Sequence, residues 1–202
     1  CIRDSLKLDL NKTAAELRNQ VRAFTFREYQ LLKYANWNIY KTEISETKST
    51  FKAGTLLEEN DAFFLLSTID YNIKLYKDYY DILWTASKQG DYEKVLSVID
   101  YIPDLNLRNV SGWNALILSV YNNHQKIVKL LIQHENNVNI QTSNYKGTTL
   151  IMYAFTCYKN TGDDTMLKLI RSYSPDLNVK DIHGLTLFDY VKNDETVLNL
   201  LK

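Results

Sequence analysis

A unit of about 33 residues recurs through the second half of the chain, and this recurrence restricts the fold more than any other feature of the sequence. Three glycines, Gly112, Gly147 and Gly184, mark the unit, and a small or short apolar residue follows each of them seven positions later. Upstream of the glycines runs a second series, Asp104-Leu-Asn106, Asn137-Val-Asn139 and Asp176-Leu-Asn178. A fixed period predicts one supersecondary unit that is copied and stacked.

The period is regular once insertions in turns are discounted. Asn106 and Asn139 are 33 residues apart, whereas Asn139 and Asn178 are 39 apart. Two of the six extra residues precede Gly147 and the other four precede Gly162. Turns tolerate such insertions because the entropic cost of a longer loop grows slowly with its length.

The repeated segments resemble the ankyrin repeat family, in which each unit has two helices and a projecting turn. The first-helix segments are Gly112-Trp-Asn-Ala-Leu-Ile-Leu-Ser119, Gly147-Thr-Thr-Leu-Ile-Met-Tyr-Ala154 and Gly184-Leu-Thr-Leu-Phe-Asp-Tyr-Val191. The second-helix segments include Asn123-His-Gln-Lys-Ile-Val-Lys-Leu-Leu-Ile132 and Gly162-Asp-Asp-Thr-Met-Leu-Lys-Leu-Ile170. The Thr-Pro helix opening typical of the family is absent. The resemblance implies an ankyrin repeat domain at 79–202, with repeats at about 79–111, 112–146, 147–183 and 184–202.

Residues 1–78 lack the repeat but contain helix signals. Thr13-Ala-Ala-Glu16 and Thr25-Phe-Arg-Glu28 have the capping-box pattern, and Asn60-Asp61 precedes an apolar run that suits a third helix. The region has no proline and one glycine, which favours helices, and a short strand competes only at 37–44. We therefore predict an all-α fold, an ankyrin-type solenoid of helix-turn-helix repeats preceded by an α-helical N-terminal region or cap. An alternative places a degenerate repeat at 61–78.

The charge of the chain is balanced, with 24 basic and 24 acidic residues, which disfavours nonspecific binding to nucleic acid or to anionic membranes. No run of about 18 apolar residues is present, so no membrane span is expected. We expect a cytoplasmic protein, with a bacterial lipoprotein or a secreted effector as alternatives. Cys1 would suit the acylated start of a lipoprotein, but no Gly/Ser tether follows it, so we favour truncation of a longer chain over a lipid anchor.

The sequence contains no convincing constellation of catalytic or metal-binding residues. His124, His134 and His183 lack metal-ligand spacing, and no pair of cysteines lies near them. Asp163-Asp164 precedes an apolar helical pattern, where negative charge is favourable at a helix N-terminus. The six glycines are spread singly, so no phosphate-binding loop is predicted. We therefore predict no enzyme activity, no metal and no cofactor.

The ankyrin resemblance implies a module that recognises a protein partner through a concave face and projecting turns. The candidate contact residues at these places are Arg108, Trp113, Tyr121, Asn122, Tyr145, Lys146, Tyr158, Asp181 and His183. For the aromatic residues among them, the alternative is that the rings pack between repeats.

We expect a monomer that acts either as a bacterial effector or adaptor, or as an immunity or inhibitor protein. Two further alternatives place the activity in residues 1–78. One is an enzyme for which the repeats serve as a targeting arm. The other is a nucleic-acid-binding region that uses Arg18, Arg22 and Arg27.

Overall fold

The computed structural model describes residues 7–24, 31–192 and 194–201. The chain divides into two compact units, Cys1–Tyr79 and Tyr80–Lys202. Helix accounts for 41% of the structure and strand for 18%. The predicted all-α fold is therefore wrong, because the first unit is built around a five-stranded antiparallel sheet.

In the described part of the first unit, one helix precedes five strands: α1 (Ala14–Ala23), β1 (Leu32–Tyr34), β2 (Trp37–Lys48), β3 (Leu56–Glu59), β4 (Phe63–Leu66) and β5 (Tyr71–Lys77). All neighbouring strands are antiparallel, and their order in the sheet is β1-β2-β5-β4-β3. Helix α1 packs against β2 and β5. The core of this unit is formed by Ala14, Leu17, Val21, Leu32, Ile39, Phe64, Leu66, Ile73 and Leu75.

The α-helical region predicted for residues 1–78 is wrong from Leu32 onward, where strands replace the expected helices, and so is the degenerate repeat considered at 61–78. Asn60, which we expected to cap a helix, closes the turn between β3 and β4. Its side-chain oxygen accepts hydrogen bonds from the backbone N–H groups of Ala62 and Phe63, at 2.9 and 3.0 Å. Asn forms the same local bonds in turns and at helix N-termini, so the residue type did not distinguish the two structures.

The sheet follows from an alternation in β5 that the helix prediction did not take into account. Ile73 and Leu75 are fully buried, whereas Lys74 and Tyr76 are half-buried. A period of two is typical of a strand that places one face on a core. The strand alternative considered at 37–44 is confirmed, because this segment lies in β2.

The helix predicted after Thr13 is confirmed as α1. Thr13 and Glu16 form a capping box: the Thr13 N–H donates to the Glu16 carboxylate at 2.9 Å, and the Glu16 N–H donates to the Thr13 hydroxyl at 3.3 Å. Leu17 and Val21 bury the apolar side of the helix in the core of the unit. The second capping box, at 25–28, lies outside the described residues.

Asp70, in the connection between β4 and β5, ties α1 to the sheet. Its carboxylate accepts hydrogen bonds from the N–H of Ala14 at 2.8 Å, the hydroxyl of Thr68 at 2.9 Å and the N–H of Tyr71 at 2.8 Å. The bond from Ala14 is the main reason why the pKa of Asp70 is lowered. Because the first N–H groups of a helix have no partner within it, the carboxylate also satisfies one of these donors.

Lys77 is buried in the first unit although its side chain is charged. Its Nζ atom lies 2.7 Å from the carbonyl oxygen of Asn60 and 3.1 Å from the carboxylate of Glu59. The ring centroids of Phe64 and Trp37 are 4.3 and 5.1 Å away. A buried ammonium group is tolerated when it is paired, hydrogen-bonded and faced by aromatic rings. These contacts explain how a lysine can occupy a buried position of β5.

Within the described residues, the second unit contains four pairs of α-helices: α2 (Tyr80–Gln89) with α3 (Tyr92–Val98), α4 (Ala115–Tyr121) with α5 (Gln125–Gln133), α6 (Leu150–Thr161) with α7 (Thr165–Arg171), and α8 (Leu187–Val191) with α9 (Glu195–Leu201). A short 3-10 helix, Ile99–Tyr101, follows α3. The first helices α2, α4 and α6 also pack on one another in succession. Residues 115–120 of α4 are all buried between these neighbours. A helix pair that cannot bury its own apolar face is thus covered by the next pair.

Three turns precede α4, α6 and α8, and they share one hydrogen-bond pattern: turn 1 (109–113), turn 2 (144–148) and turn 3 (181–185). In each turn the side-chain oxygen of the first residue, Asn109, Asn144 or Asp181, accepts hydrogen bonds from the backbone N–H groups two and four positions later, at 2.8 to 3.1 Å. The glycine at the fourth position donates its N–H to the first carbonyl at 2.8 to 3.0 Å and has a φ between 73° and 80°. Glycine adopts such positive φ values without strain.

Neighbouring turns contact each other. A Cβ atom added at Gly112 in turn 1 would lie 2.6 Å from the ring of Tyr145 in turn 2. The N–H of Ile182 in turn 3 donates to the carbonyl of Lys146 in turn 2 at 2.8 Å. The three turns therefore form one continuous row along the stack, which we name the tip row.

Replacing Asp70 with alanine should lower the free energy of unfolding at neutral pH by about 1–2 kcal/mol, because α1 loses its bond to the β4–β5 connection. The folded pKa of Asp70 lies below its ordinary value of 3.8. The carboxylate therefore stabilises the fold above the unfolded pKa, and this contribution is lost as the pH falls through the folded pKa. The difference in stability between the wild type and the variant should shrink from about pH 5 to about pH 2.

Urea titrations of the wild type and of Asp70→Ala at about pH 5 and about pH 2 measure this difference in unfolding free energy. Asp61→Ala is the matched control, because Asp61 is an exposed aspartate of the same unit. If the stability gap of Asp70→Ala were the same at low pH, the ionised carboxylate would not be what holds α1.

Gly112→Ala should destabilise the second unit more than Gly184→Ala. Both glycines occupy the fourth position of a turn, with φ values of 80° and 73°, so both alanines incur a similar backbone strain of about 1–2 kcal/mol. At Gly112 the new Cβ would also meet the ring of Tyr145, whereas nothing lies within 4 Å of one at Gly184. We expect this clash to add about 1–3 kcal/mol. Urea denaturation of both variants checks it, and equal losses would contradict the packing of turn 2 on turn 1.

Candidate protein-binding surface

Three aromatic rings meet on the first-helix side of the repeats. Trp113 ends turn 1, Tyr121 ends α4, and Tyr153 lies in the first turns of α6. The ring of Trp113 lies 5.1 Å from that of Tyr121 and 4.9 Å from that of Tyr153, and the two tyrosines are 6.0 Å apart. Edge-to-face and tilted pairs at these distances stabilise one another beyond their buried area. We name these three residues the aromatic cluster.

The members of the aromatic cluster differ in burial. Tyr153 is buried, Trp113 is half-buried and Tyr121 is exposed. Trp113 and Tyr121 belong to one repeat and Tyr153 to the next, so the cluster also joins two repeats. The predicted contact residue Trp113 thus packs between repeats and keeps part of its ring open to solvent.

Asn144 connects the aromatic cluster to turn 2. Its Nδ2 donates a hydrogen bond to the hydroxyl of Tyr153 at 2.8 Å, while its Oδ1 closes the turn. Burial raises the pKa of Tyr153, against the lowering effect of its hydrogen bonds, so the ring stays a neutral phenol at physiological pH. The cluster is therefore an uncharged aromatic surface, and turn 2 fixes it through the hydrogen bond from Asn144 to Tyr153.

Arg108, which directly precedes turn 1, contacts Tyr145 of turn 2 although the two residues are far apart in sequence. The guanidinium carbon of Arg108 lies 5.7 Å from the ring centroid of Tyr145, a distance typical of a cation–π contact. The side chain of Tyr145 remains 57% exposed, and the neighbouring Lys146 is also exposed. Tyr145 of the tip row and Arg108 beside it therefore form an aromatic and cationic surface.

Asn122 and Tyr158 have local partners. The Nδ2 of Asn122 donates to the carbonyl of Leu118 at 2.8 Å, so this side chain ends its own helix α4. The ring of Tyr158 stacks on Phe155, with centroids 6.4 Å apart and an angle of 26° between the planes. Tyr158 is half-buried, and its ring contact lies within α6.

Asp181 uses its carboxylate inside turn 3. It accepts hydrogen bonds from the hydroxyl of Tyr190 and from the N–H groups of His183 and Leu185. The bond from Tyr190 is the largest cause of the lowered pKa of Asp181. The residue therefore orders the turn, while the side chain of His183 is exposed at its tip.

Ile182, an exposed apolar residue of turn 3, was missed by the sequence prediction, and Val110 of turn 1 occupies the equivalent position. Val110 and Ile182 are 76% and 66% exposed, and each occupies the second position of its turn, as Tyr145 does in turn 2. Alignment of the sequence on Gly112 and Gly184 would have placed them at equivalent positions.

The three histidines have separate environments. His124 Nε2 lies 3.0 Å from the carbonyl oxygen of Lys88, and His134 Nε2 lies 3.1 Å from the carboxylate of Asp100. Across residues 7–24, 31–192 and 194–201, no group of His, Cys, Asp and Glu side chains could hold a metal ion. No helix in the same part of the chain is both long and apolar enough to cross a membrane.

Comparison with known proteins places the repeats in a family. Residues 83–181 match the family model of ankyrin repeats in three copies. No curated protein matches the chain significantly. Ankyrin repeats are protein–protein interaction modules and are typically non-enzymatic. The four repeats assigned to 79–202 extend beyond the matched residues, and their bounds stay a prediction. The resemblance itself is confirmed: residues 83–181 of this chain are ankyrin repeats.

Proposed function

We propose that the chain is a non-enzymatic module that binds a protein partner through the aromatic cluster and the tip row. The aromatic cluster carries this proposal, because Trp113 and Tyr121 keep part of their rings exposed while packing on the buried Tyr153. Trp, Tyr and Arg are the residues that most often dominate the binding energy of protein interfaces. An aromatic ring has few rotatable bonds, so it offers a large contact area at a low entropic cost.

The arrangement of charge also suits a protein interface. The aromatic cluster is uncharged, whereas Lys146 lies on the tip row and Arg108 lies directly before it, over the ring of Tyr145. Protein interfaces typically have a desolvated centre that is depleted of charge and a polar rim that stays hydrated. We therefore assign the centre of the interface to the aromatic cluster and the rim to the turns.

The surface is organised before a partner arrives. Asn144 fixes the hydroxyl of Tyr153, and the guanidinium group of Arg108 lies over the ring of Tyr145. Side chains that are already held in place lose little conformational entropy on binding, which favours affinity. This rigidity supports recognition of the partner by shape complementarity, because the rings hold fixed positions.

The nine predicted contact residues divide into groups under this proposal. Tyr121, Tyr145 and Arg108 contact the partner directly, and Trp113 both contacts it and anchors the other rings. Lys146 and His183 contribute to the rim. Asn122, Tyr158 and Asp181 shape the surface through α4, α6 and turn 3.

Two biological settings agree with this binding mode: a bacterial effector or adaptor, and an immunity or inhibitor protein. A partner from a host cell would favour the first, and a toxin or enzyme of the same organism would favour the second. The alternative of an enzyme or a nucleic-acid-binding activity in residues 1–78 relied on a helical N-terminal region. Among the described residues before Tyr79, α1 is the single helix, and it carries Arg18 and Arg22, while five strands take the place of the other predicted helices. We therefore propose the repeat surface, and not this region, as the binding site.

Tyr121→Ala should weaken binding of the partner about tenfold or more and leave the helical circular dichroism unchanged, because an exposed ring is removed from the centre of the proposed interface. The tagged full chain is used to capture partners from a native lysate, the captured protein is identified and purified, and its Kd is measured for each variant. Tyr173→Ala is the matched control, since Tyr173 is also exposed but follows α7, away from the first helices.

If Tyr121→Ala kept the wild-type affinity, the assignment of the aromatic cluster to the interface would be wrong. An equal loss in the Tyr173→Ala control would show that the affinity depends on the outer side of the stack.

A further inference from the structure

The second position of each turn in the tip row carries a large apolar side chain that is exposed. These residues are Val110, Tyr145 and Ile182, exposed by 76%, 57% and 66%. A single exposed apolar residue is normal on a protein surface and carries no meaning. Here all three contacting turns have an exposed apolar residue at the same position, so these residues form a line along the stack. Exposed apolar surfaces of this kind mark interaction sites.

The three apolar side chains lie on one continuous support. The ring of Tyr145 packs against Gly112 in turn 1, and the N–H of Ile182 bonds to turn 2 at the carbonyl of Lys146. Because each turn leads into a first helix, neighbouring turns follow the spacing of packed helices, about 8–10 Å. A ligand that follows the row must present apolar groups at that interval.

The charge beside this line is one-sided. Arg108, Lys146 and Lys180 flank the apolar positions, and Asp181 is the sole carboxylate in residues 107–113, 142–148 and 179–185. The Asp181 carboxylate already accepts hydrogen bonds from Tyr190, His183 and Leu185.

Among the described residues, no carboxylate forms an ion pair with Arg108 or Lys146. Lys180 differs from them, because it precedes Asp181 in the chain and helps to lower the pKa of Asp189. The unpaired charge of the tip row is therefore positive at turns 1 and 2, so it complements an acidic ligand.

The spacing indicates the conformation of that ligand. In a polyproline-II segment, every third side chain points the same way and the repeat distance is about 9 Å. In a β-strand, side chains on one face recur every second residue, at about 7 Å and then about 13 Å, so they do not fit an interval of about 8–10 Å.

We propose that the tip row binds an extended acidic segment of the partner that places an apolar side chain at every third position. This proposal rests on the proposed function, because it specifies the partner for the same face. The apolar side chains lie against Val110, Tyr145 and Ile182, and the carboxylates between them face Arg108 and Lys146.

The test uses fluorescent 12-residue peptides and the full chain, with binding followed by fluorescence anisotropy. The first peptide has Leu at every third position and Asp or Glu between. The second replaces the acidic residues with Lys, and the third keeps the composition of the first but places Leu at every second position. A fourth peptide, with acidic residues and Leu at helical i, i+3, i+4 and i+7 spacing, represents an amphipathic helix.

We expect the first peptide to bind at least about tenfold more tightly than each of the others. Its affinity should fall several-fold from low salt to about 0.3 M salt, because the charges are exposed. The double variant Val110→Asp/Ile182→Asp should lose at least about tenfold of this affinity. Ile69→Asp, a change at an equally exposed apolar residue of the first unit, should retain it.

Equal or tighter binding of the basic, alternating or helical peptide would overturn the proposal, and so would unchanged binding by the double variant. Capture of the native partner tests the proposed function separately from the peptide experiment. If the first peptide fails to bind while Tyr121→Ala still weakens that capture, the extended acidic ligand is excluded and the protein-binding function stands. If Tyr121→Ala has no effect on capture, the proposed function fails on its own.

Discussion

In the three turns of the repeat stack, a side-chain oxygen accepts the backbone hydrogen bonds that a neighbouring strand would accept in a sheet. Asn109, Asn144 and Asp181 each accept two backbone N–H groups of their own turn, and a glycine with positive φ completes the ring of bonds. Exposed backbone polar groups need partners, and here they find them within five residues. A turn that satisfies itself can project from the stack and carry exposed apolar side chains at its tip. The positions of the tip row depend on this constraint.

The same interaction also links folding to the proposed binding surface. Asn144 closes turn 2 with its oxygen and holds the hydroxyl of Tyr153 with its nitrogen. Trp113, the last residue of turn 1, packs on that ring. A change in either turn therefore moves the aromatic cluster, so stability and binding cannot be altered independently at these residues. Val110 and Ile182 are different, because they are the most exposed apolar side chains of the turns.

The candidate surface could be predicted from the sequence in part. Gly112, Gly147 and Gly184 indicated where the turns lie, since positive φ at a fixed interval selects glycine. The contact between Arg108 and Tyr145 was not predictable in this way, because it depends on how closely one turn packs on the next. The residue type of Asp181 also does not indicate that its carboxylate is hydrogen-bonded within its own turn. An aspartate that contacts a partner at a binding surface would look identical in the sequence.

The sequence by itself determined the repeats and the capping box at Thr13, because the interactions that form them span a few residues and recur or stand out locally. Only the tertiary structure decided the first unit. β2 pairs with β5, although some thirty residues separate Glu43 from Lys74 and Ile44 from Ile73. Strand pairing joins distant segments, and each short strand seen alone is ambiguous between helix and sheet. Lys77 illustrates this dependence: its charge argues against a buried strand position until Glu59, Asn60 and the surrounding rings are brought around it by the fold.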